Sequence, residues 1–257
     1  MDSRERYIAF RAILDKETTR VLRIWQQTLL PSAITMALYL MIFGAFIGSQ
    51  VSDIYGFTYM QFIIPGIIMM SVITNSFMNV ASSFFSTKFM RSIEELLVSP
   101  TPNYVIMSGY AAGGMFRGLL VGLIVLIISS FFTSLKLHSP FIIILFILLT
   151  SLVFSLGGFL NGVLAKKFDD ISIIPTFVLT PLTYLGGVFF PISFLPSIWQ
   201  KISLLNPILY MVNGFRYGFL GISDINVWIG LGILIVFSIA LFYLNLYLMN
   251  KGTGLKS

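Results

Sequence analysis

The chain has no cysteine among its 257 residues, so neither a disulfide framework nor a thiolate metal site is available, and no redox compartment can be inferred. Charge is scarce too: Asp, Glu, Lys and Arg make up 10% of the residues against 57% hydrophobic, and the mean hydropathy is +0.93. Such a balance excludes a soluble domain of ordinary composition and identifies an integral membrane protein. No G-x-x-x-x-G-K-[ST] occurs, so the chain does not itself cradle nucleotide phosphates. The single histidine, His138, stands beside Ser139 and Pro140 with no partner cluster, which argues against a metal ligand or base. No convergent set of acid, base, nucleophile or metal ligands is visible, so no catalytic residue and no metal site is assigned. No short apolar core followed by a small-residue cleavage site opens the chain, so no cleaved signal peptide is expected. Internal repeats and low-complexity linkers are lacking, which makes one domain over 1–257 the simplest account.

What the chain does have is apolar length. Runs long enough to cross a hydrocarbon core of about 30 Å, roughly 20 residues as a helix, fall at 29–49, 58–85, 105–135, 140–165, 171–190 and 226–249. Six spans are therefore expected. Pro31 suits the first turn of the first, where its missing amide costs nothing. Ahead of them, residues 1–27 carry Arg4, Arg6, Arg11, Lys16, Arg20 and Arg23, while Tyr7, Phe10, Ile13, Leu14, Val21 and Trp25 recur at near-helical spacing. This pattern predicts a helix on the membrane surface, apolar side in the acyl boundary and basic side toward anionic headgroups, with a solvated tail as the alternative.

Lys and Arg also set the orientation. They number twelve in the N-terminal segment, the loops after spans two and four, and the tail with Lys251 and Lys256, against three in the loops of the opposite side. Both termini are expected in the cytoplasm. The net charge of +6 and pI near 9.5 follow from this membrane asymmetry, because the basic residues sit between apolar runs rather than on a soluble face that would hold nucleic acid.

The one internal stretch where charges gather is Lys88 to Tyr104. If 87–98 is one helix, Phe89, Ile93, Leu96 and Leu97 share a face and Lys88, Arg91, Ser92 and Glu95 another. Ser92 and Glu95 also have capping-box spacing, which would start the helix at Ile93 instead. Ser99, Pro100 and Pro102 end it either way. A solvated loop between spans and a functional element both fit these residues alone.

Every acidic residue falls outside the predicted spans. Ion-coupled carriers keep a carboxylate at membrane depth to bind the proton or cation, so its absence argues against that class. Inside the bilayer only mild polarity remains. Ser71, Asn75, Asn79 and Ser82 follow helical spacing on span two, and Thr176, Thr180 and Thr183 do so on span five. These stripes are candidates for lining a translocation path or for packing between helices. Ser151, Ser155, Gly158 and Gly162 on span four read as close helix packing. Pro181 to Gly221 is too apolar for an ordinary outside loop and too broken for a span, which fits short helices dipping into the outer leaflet.

The order of Gly186, Pro191, Pro196, Trp199, the Asn206-Pro207 pair and Arg216 resembles the C-terminal signature of ABC-2 type transporter permeases. The likeness extends over the whole chain, through E-E-L-L-x-S-P at Glu94 to Pro100 and G-x-x-x-R at Gly113 to Arg117. It looks nearest to bacterial inner-membrane permeases of the drug-export and polysaccharide-export type. The resemblance implies an all-α integral membrane protein: an interfacial helix at 1–27, spans one to five over 29–190 with a cytoplasmic coupling helix at 87–98, re-entrant helices at 191–225, and span six at 226–249. It further implies a homodimer in the cytoplasmic membrane, paired with two copies of a separate ATPase that binds ATP and Mg, this chain binding no cofactor itself. Carried over, Arg91, Glu94, Glu95, Ser99 and Pro100 couple to the ATPase, with Phe89, Ile93, Leu96 and Leu97 packing the helix on the permease. Membrane lipids are the other partner. Arg117 resembles a position near the cytoplasmic gate, although an arginine snorkelling to headgroups would look the same. Arg216 is expected to satisfy carbonyls of the broken outer segment. The function implied is outward export of a hydrophobic or amphipathic substrate by alternating access. Export of a lipid-linked glycan or lipopolysaccharide, or a non-transporting scaffold or sensor for an ATPase, are the alternatives.

Overall fold

A computed structural model describes residues 1–254, and Lys256 of the charge count lies outside them. Among the described residues the regular structure is helical throughout, apart from an isolated bridge between Ile54 and Phe57. The first helix, α1 (Ser3–Arg23), is started by Asp2, whose side chain accepts from the Ser3 amide while Glu5 reaches back to the Asp2 amide at 2.8 Å. Only Ile24 separates it from α2 (Trp25–Thr28) and α3 (Leu30–Tyr39), which continue as a π-helical stretch, Leu40–Ile47, and a 3₁₀ turn, Gly48–Gln50. Pro31 sits in the first turn of α3, where no amide is needed. Then follow α4 (Tyr59–Phe89), α5 (Ser92–Val98), α6 (Asn103–Ser130) and α7 (Pro140–Leu164).

The fifth apolar run departs from a simple span. It forms α8 (Phe168–Ile174), a π turn (Pro175–Leu179) and α9 (Thr180–Tyr184), after which Gly186 and Gly187 turn the chain, Gly187 with φ +71°. Pro175 and Pro181 each remove an amide donor; the Asn161 side chain donates to the Ile171 carbonyl at 3.0 Å, and the Thr180 hydroxyl joins its own amide in donating to the Pro175 carbonyl, at 2.9 Å. The helical run is about 25 Å long, short of a 30 Å core. Among the described residues five segments have the length and apolarity to cross a membrane: Trp25–Gln50, α4, α6, α7 and α12 (Val227–Lys251). Between α9 and α12 lie a 3₁₀ turn at Ile192–Phe194, α10 (Ser197–Leu204) and α11 (Pro207–Leu220).

The bundle is built on α4, which packs against α6, α7 and α11 and is buried over most of its length. Trp25–Gln50 and α12 lie outside it with most of their surface uncovered. Apolar side chains there need no protein cover if lipid supplies it. One end of the bundle gathers α1, α5 and the ends of α7 and α12: Lys88 donates to the Val163 and Ala165 carbonyls at 2.8 and 2.6 Å, and Asn103 to Asn250 at 2.8 Å. The opposite end joins the loops before α4 and α7 to the segments around α11, through Tyr55 to Asp224 at 3.0 Å and the amide of His138 to the Gly218 carbonyl at 3.0 Å.

The expectation for residues 1–27 needs correction on one point. α1 turns Ile13, Glu17 and Val21 into protein, against α6 and α4, and leaves Tyr7, Ile8 and Leu22 exposed. The close approach depends on α6 glycines: a Cβ on Gly113 would stand 2.5 Å from the Glu17 Cβ, and one on Gly109 would stand 2.7 Å from Ile13 Cγ2.

Candidate functional site

Three places carry polar or strained chemistry: the turn after α4, the junction of α1 with α4 and α6, and the broken segment around α11.

At the first, the expected continuous helix over 87–98 is interrupted. α4 runs to Phe89, and Arg91 takes a left-handed conformation (φ +59°), one that a non-glycine residue adopts seldom, so that α5 begins afresh at Ser92. No side chain caps α5. The Ser92 hydroxyl instead donates back to the Thr87 carbonyl at 3.1 Å, so the predicted capping box does not form. Ser99 closes the far end by donating to the Leu96 carbonyl at 2.7 Å and accepting from the Thr101 amide. Of the four apolar residues expected to pack on this chain, Ile93 is buried and Leu96 half-buried, whereas Phe89 and Leu97 are exposed. Seven residues make barely two turns, which gives room for one anchoring side chain. Arg91, Glu94, Glu95 and Pro100 are exposed beside Met90 and Val98. Phe89 also meets Phe168 edge-on at 4.9 Å, bringing the loop after α7 alongside α5. In that loop Asp170 accepts from the amides of Lys166 and Lys167 at 2.8 and 3.0 Å, and these donors hold its carboxyl below the usual carboxylate range.

The second place was not legible as a site. Glu17, which lies outside the predicted spans, is nonetheless fully buried in protein. It pairs with Arg20 at 2.9 Å and accepts from the Ser83 hydroxyl at 2.6 Å. The same Arg20 nitrogen donates to the Asn79 side-chain oxygen at 2.8 Å. One turn deeper along α4, Asn75 accepts from Arg117 at 3.1 Å and from the Ser32 hydroxyl at 3.1 Å, while Arg117 also reaches the Thr28 carbonyl at 3.3 Å. The α4 stripe thus binds two arginines, from α1 and α6. Ser71, with Asn75 and Asn79, is buried, and its hydroxyl donates to the Ile68 carbonyl of its own helix.

The other stripe stays apart from these groups. Thr183 is buried and donates to the Leu179 carbonyl at 2.6 Å, whereas Thr176 and Thr180 are exposed. A hydrogen bond between the Tyr39 and Tyr184 hydroxyls at 3.2 Å ties the first span to α9, with Tyr39 stacked on Phe43 and Tyr184 on Phe189.

At the third place Arg216 is buried to 1% exposure. Its Nε donates to the Phe62 carbonyl at 3.2 Å, its Nη2 to Gly187 at 2.5 Å and Val188 at 3.4 Å, and its guanidinium lies 3.9 Å over the Phe62 ring. Phe62 is just ahead of Pro65 in α4, so one side chain serves carbonyls of the proline-interrupted helix and of the glycine turn together. Asn206 caps α11 by accepting from the Ile208 amide at 3.0 Å and donates to the Leu182 carbonyl at 2.6 Å, with Pro207 in the first turn. Gly186 packs against Ile208, Pro191 leads into the 3₁₀ turn and Pro196 into α10. Beyond them opens a cavity of about 630 Å³ lined by Tyr55, Ser193, Gln200 and Asp224 among others. Among the described residues no group of His, Asp and Glu stands close enough to hold a metal ion.

Sequence reasoning missed Glu17, Arg20 and Ser83. The signal was present: Glu17 stands at helical spacing between Ile13 and Val21, on the stripe that turned out to be buried.

Compared with known proteins, residues 8–220 match the family described as ABC-2 type transporter. The chain is 56% identical over 251 residues to the inner membrane transport permease YadH of Escherichia coli K12, with 98% of each chain covered. It is 25% identical over 215 residues to nodulation protein J of Rhizobium leguminosarum bv. viciae, with 83% of each covered. To nodulation protein J of Sinorhizobium fredii it is 26% identical over 209 residues, 81% of this chain and 80% of that one.

Proposed function

The chain belongs to the ABC-2 type transporter family, and from that premise we propose that it is the permease subunit of an ATP-driven exporter in a bacterial inner membrane. It works as a homodimer with two copies of a separate ATPase, which binds the ATP and Mg, and moves a hydrophobic or amphipathic substrate outward by alternating access. The observation that carries this reading is α5: a two-turn helix held to the bundle by Ile93 alone among its fully buried residues, with Glu94, Glu95, Leu97 and Val98 uncovered. A chain with no nucleotide motif has no energy source of its own, so active transport requires a surface that takes up a motor's movement.

The ATPase contact is accordingly mixed, with Arg91, Glu94 and Glu95 supplying polar contacts and Phe89, Leu97 and Val98 apolar area. Ser99 and Pro100 set the angle at which α5 leaves. Both termini and α5 face the cytoplasm, in keeping with the Lys and Arg count. The helical run Phe168–Tyr184 completes six spans in this reading, its shortness made up by the segment around α11 dipping into the outer leaflet and held there by Arg216. Asn75, Asn79 and Ser71 on α4, with Thr176, Thr180 and Thr183, face the path when the two protomers separate.

The test replaces Glu94 and Glu95 together with alanine and measures ATP hydrolysis by the assembled complex with and without substrate. Loss of stimulation with assembly intact is the expected result; unchanged stimulation would remove α5 from the coupling route.

A further inference from the structure

Charge does not balance at the junction of α1, α4 and α6. Arg20 and Arg117 hold neighbouring turns of α4 through Asn79 and Asn75, and the one carboxylate, Glu17, pairs with Arg20. Among the described residues the Nε atoms of both arginines are buried without a hydrogen-bond partner, as is Asn79 Nδ2. Burying an unpaired charge costs several kcal/mol, so such a surplus persists where something of opposite sign is bound.

Depth says what that is. α4 has 31 residues and is about 46 Å long, exceeding a hydrocarbon core by roughly 16 Å. Measured from Tyr59, Asn79 lies about 30 Å along it, at the far boundary of the core, with Asn75 one turn inside. This level borders the headgroup layer, and a long arginine side chain reaches from it toward lipid phosphates. Arg20 keeps 26% of its side chain exposed, which leaves an approach from its open side.

We propose that Arg20 and Arg117 form an inner-leaflet binding site for the phosphate of an anionic amphiphile, with Asn79 donating beside them. The site deepens the exporter reading above, since it gives a charge class to what enters next to the α4 stripe. A guanidinium offers paired N–H groups that match phosphate oxygens, which lysine and neutral side chains do not reproduce. Glu17 competes with the ligand for Arg20 and tunes the affinity downward. The same chemistry is presented by a phospholipid headgroup and by a phosphate on the cargo.

The experiment uses the purified full chain and native mass spectrometry with an equimolar mixture of phosphatidylglycerol and phosphatidylcholine. Wild-type chain is expected to retain phosphatidylglycerol preferentially, and Arg117→Gln to reduce that preference about tenfold, the scale of one charge-assisted hydrogen bond. Glu17→Gln should raise it. Loss of folding stability moves both variants the same way, so this opposition of sign separates a binding role from a structural one. A second arm measures protection from thermal unfolding by inorganic pyrophosphate. Lipid preference without pyrophosphate protection supports a phospholipid headgroup, and protection lost in Arg117→Gln supports the phosphate of a cargo. Equal retention of the two lipids with no pyrophosphate effect overturns the proposal. Neither readout involves the ATPase, so failure here leaves the coupling reading standing, and failure of the α5 test leaves this one standing.

Discussion

The pair Glu17 and Arg20 makes an asymmetric prediction. Glu17 is wholly buried, while Arg20 is 26% exposed on its side chain. Arg20→Gln leaves a carboxylate in the interior with the Ser83 hydroxyl as its remaining donor, and breaking a buried pair in this way costs about 3–5 kcal/mol. Glu17→Gln keeps an oxygen for Ser83 and leaves a cation that water can still reach, for a cost of about 1–2 kcal/mol. The double variant replaces both charges by amides and removes the stranded carboxylate. It should therefore be more stable than Arg20→Gln alone, a coupling of at least about 1 kcal/mol, the cost of Glu17→Gln itself. At about 2–4 °C per kcal/mol for a chain of this size, Arg20→Gln lowers the midpoint of thermal unfolding by about 6–20 °C and Glu17→Gln by about 2–8 °C. The assay is thermal unfolding of the purified chain in detergent, followed by tryptophan fluorescence and by loss of the monodisperse peak. Equal, small shifts for both single variants, or a double variant whose loss is their sum, would refute the assignment of Glu17 as a buried charge held by Arg20.

Gly113→Ala puts a methyl group 2.5 Å from the Glu17 Cβ, and overpacking of about 1–3 kcal/mol exceeds the helix-propensity gain of about 1 kcal/mol, so the unfolding midpoint should fall. Gly232→Ala in α12, whose added carbon meets nothing within 4 Å, should leave the midpoint unchanged or raise it. Arg216→Lys is expected to fold as poorly as Arg216→Gln, judged by monodisperse yield, because an ammonium is a point charge and does not span the Phe62 and Gly187 carbonyls together. The Asp170 carboxyl is held below its ordinary value of 3.8, so what it contributes to the loop is present above that value and lost as pH falls through the depressed one. Hydrogen exchange at Lys166 and Lys167 should accelerate over that window beyond the intrinsic pH effect in wild type, and Asp170→Asn should show neither the added protection nor its loss.

Much of the architecture was legible because it follows from solvent alone. A run of 20 or more apolar residues has to satisfy its own backbone in lipid, so five of the six expected spans, Trp25–Gln50, α4, α6, α7 and α12, were readable nearly in boundary. The family signature was readable for a similar reason. Its Gly, Pro and Asn residues occupy turns and caps that few other residues fill, as Asn206 and Pro207 do at the start of α11. Arg216, expected from its place in the broken segment to satisfy carbonyls, does so.

Two of the misreadings share one cause, that facing is decided by neighbours distant in the chain. α1 has the composition of a membrane-surface helix, yet Gly109 and Gly113 of α6 let it come close enough to bury Glu17, a contact across almost a hundred residues. α5 has an apolar stripe long enough to suggest packing, but the left-handed turn at Arg91 aims only Ile93 at the bundle and leaves Phe89 and Leu97 outside. The fifth run departs from a simple helix for a different, local reason, since two prolines and the glycine turn within it limit its helical length to about 25 Å. By itself, then, the sequence determined that this protein lives in a membrane as helices and which family it resembles, since both depend on residue type and run length. Only the tertiary structure decided that the polar stripe of α4 holds two arginines against one buried carboxylate. A pairing between helices is set by which faces meet, and the apolar pattern of any one helix does not encode its neighbour.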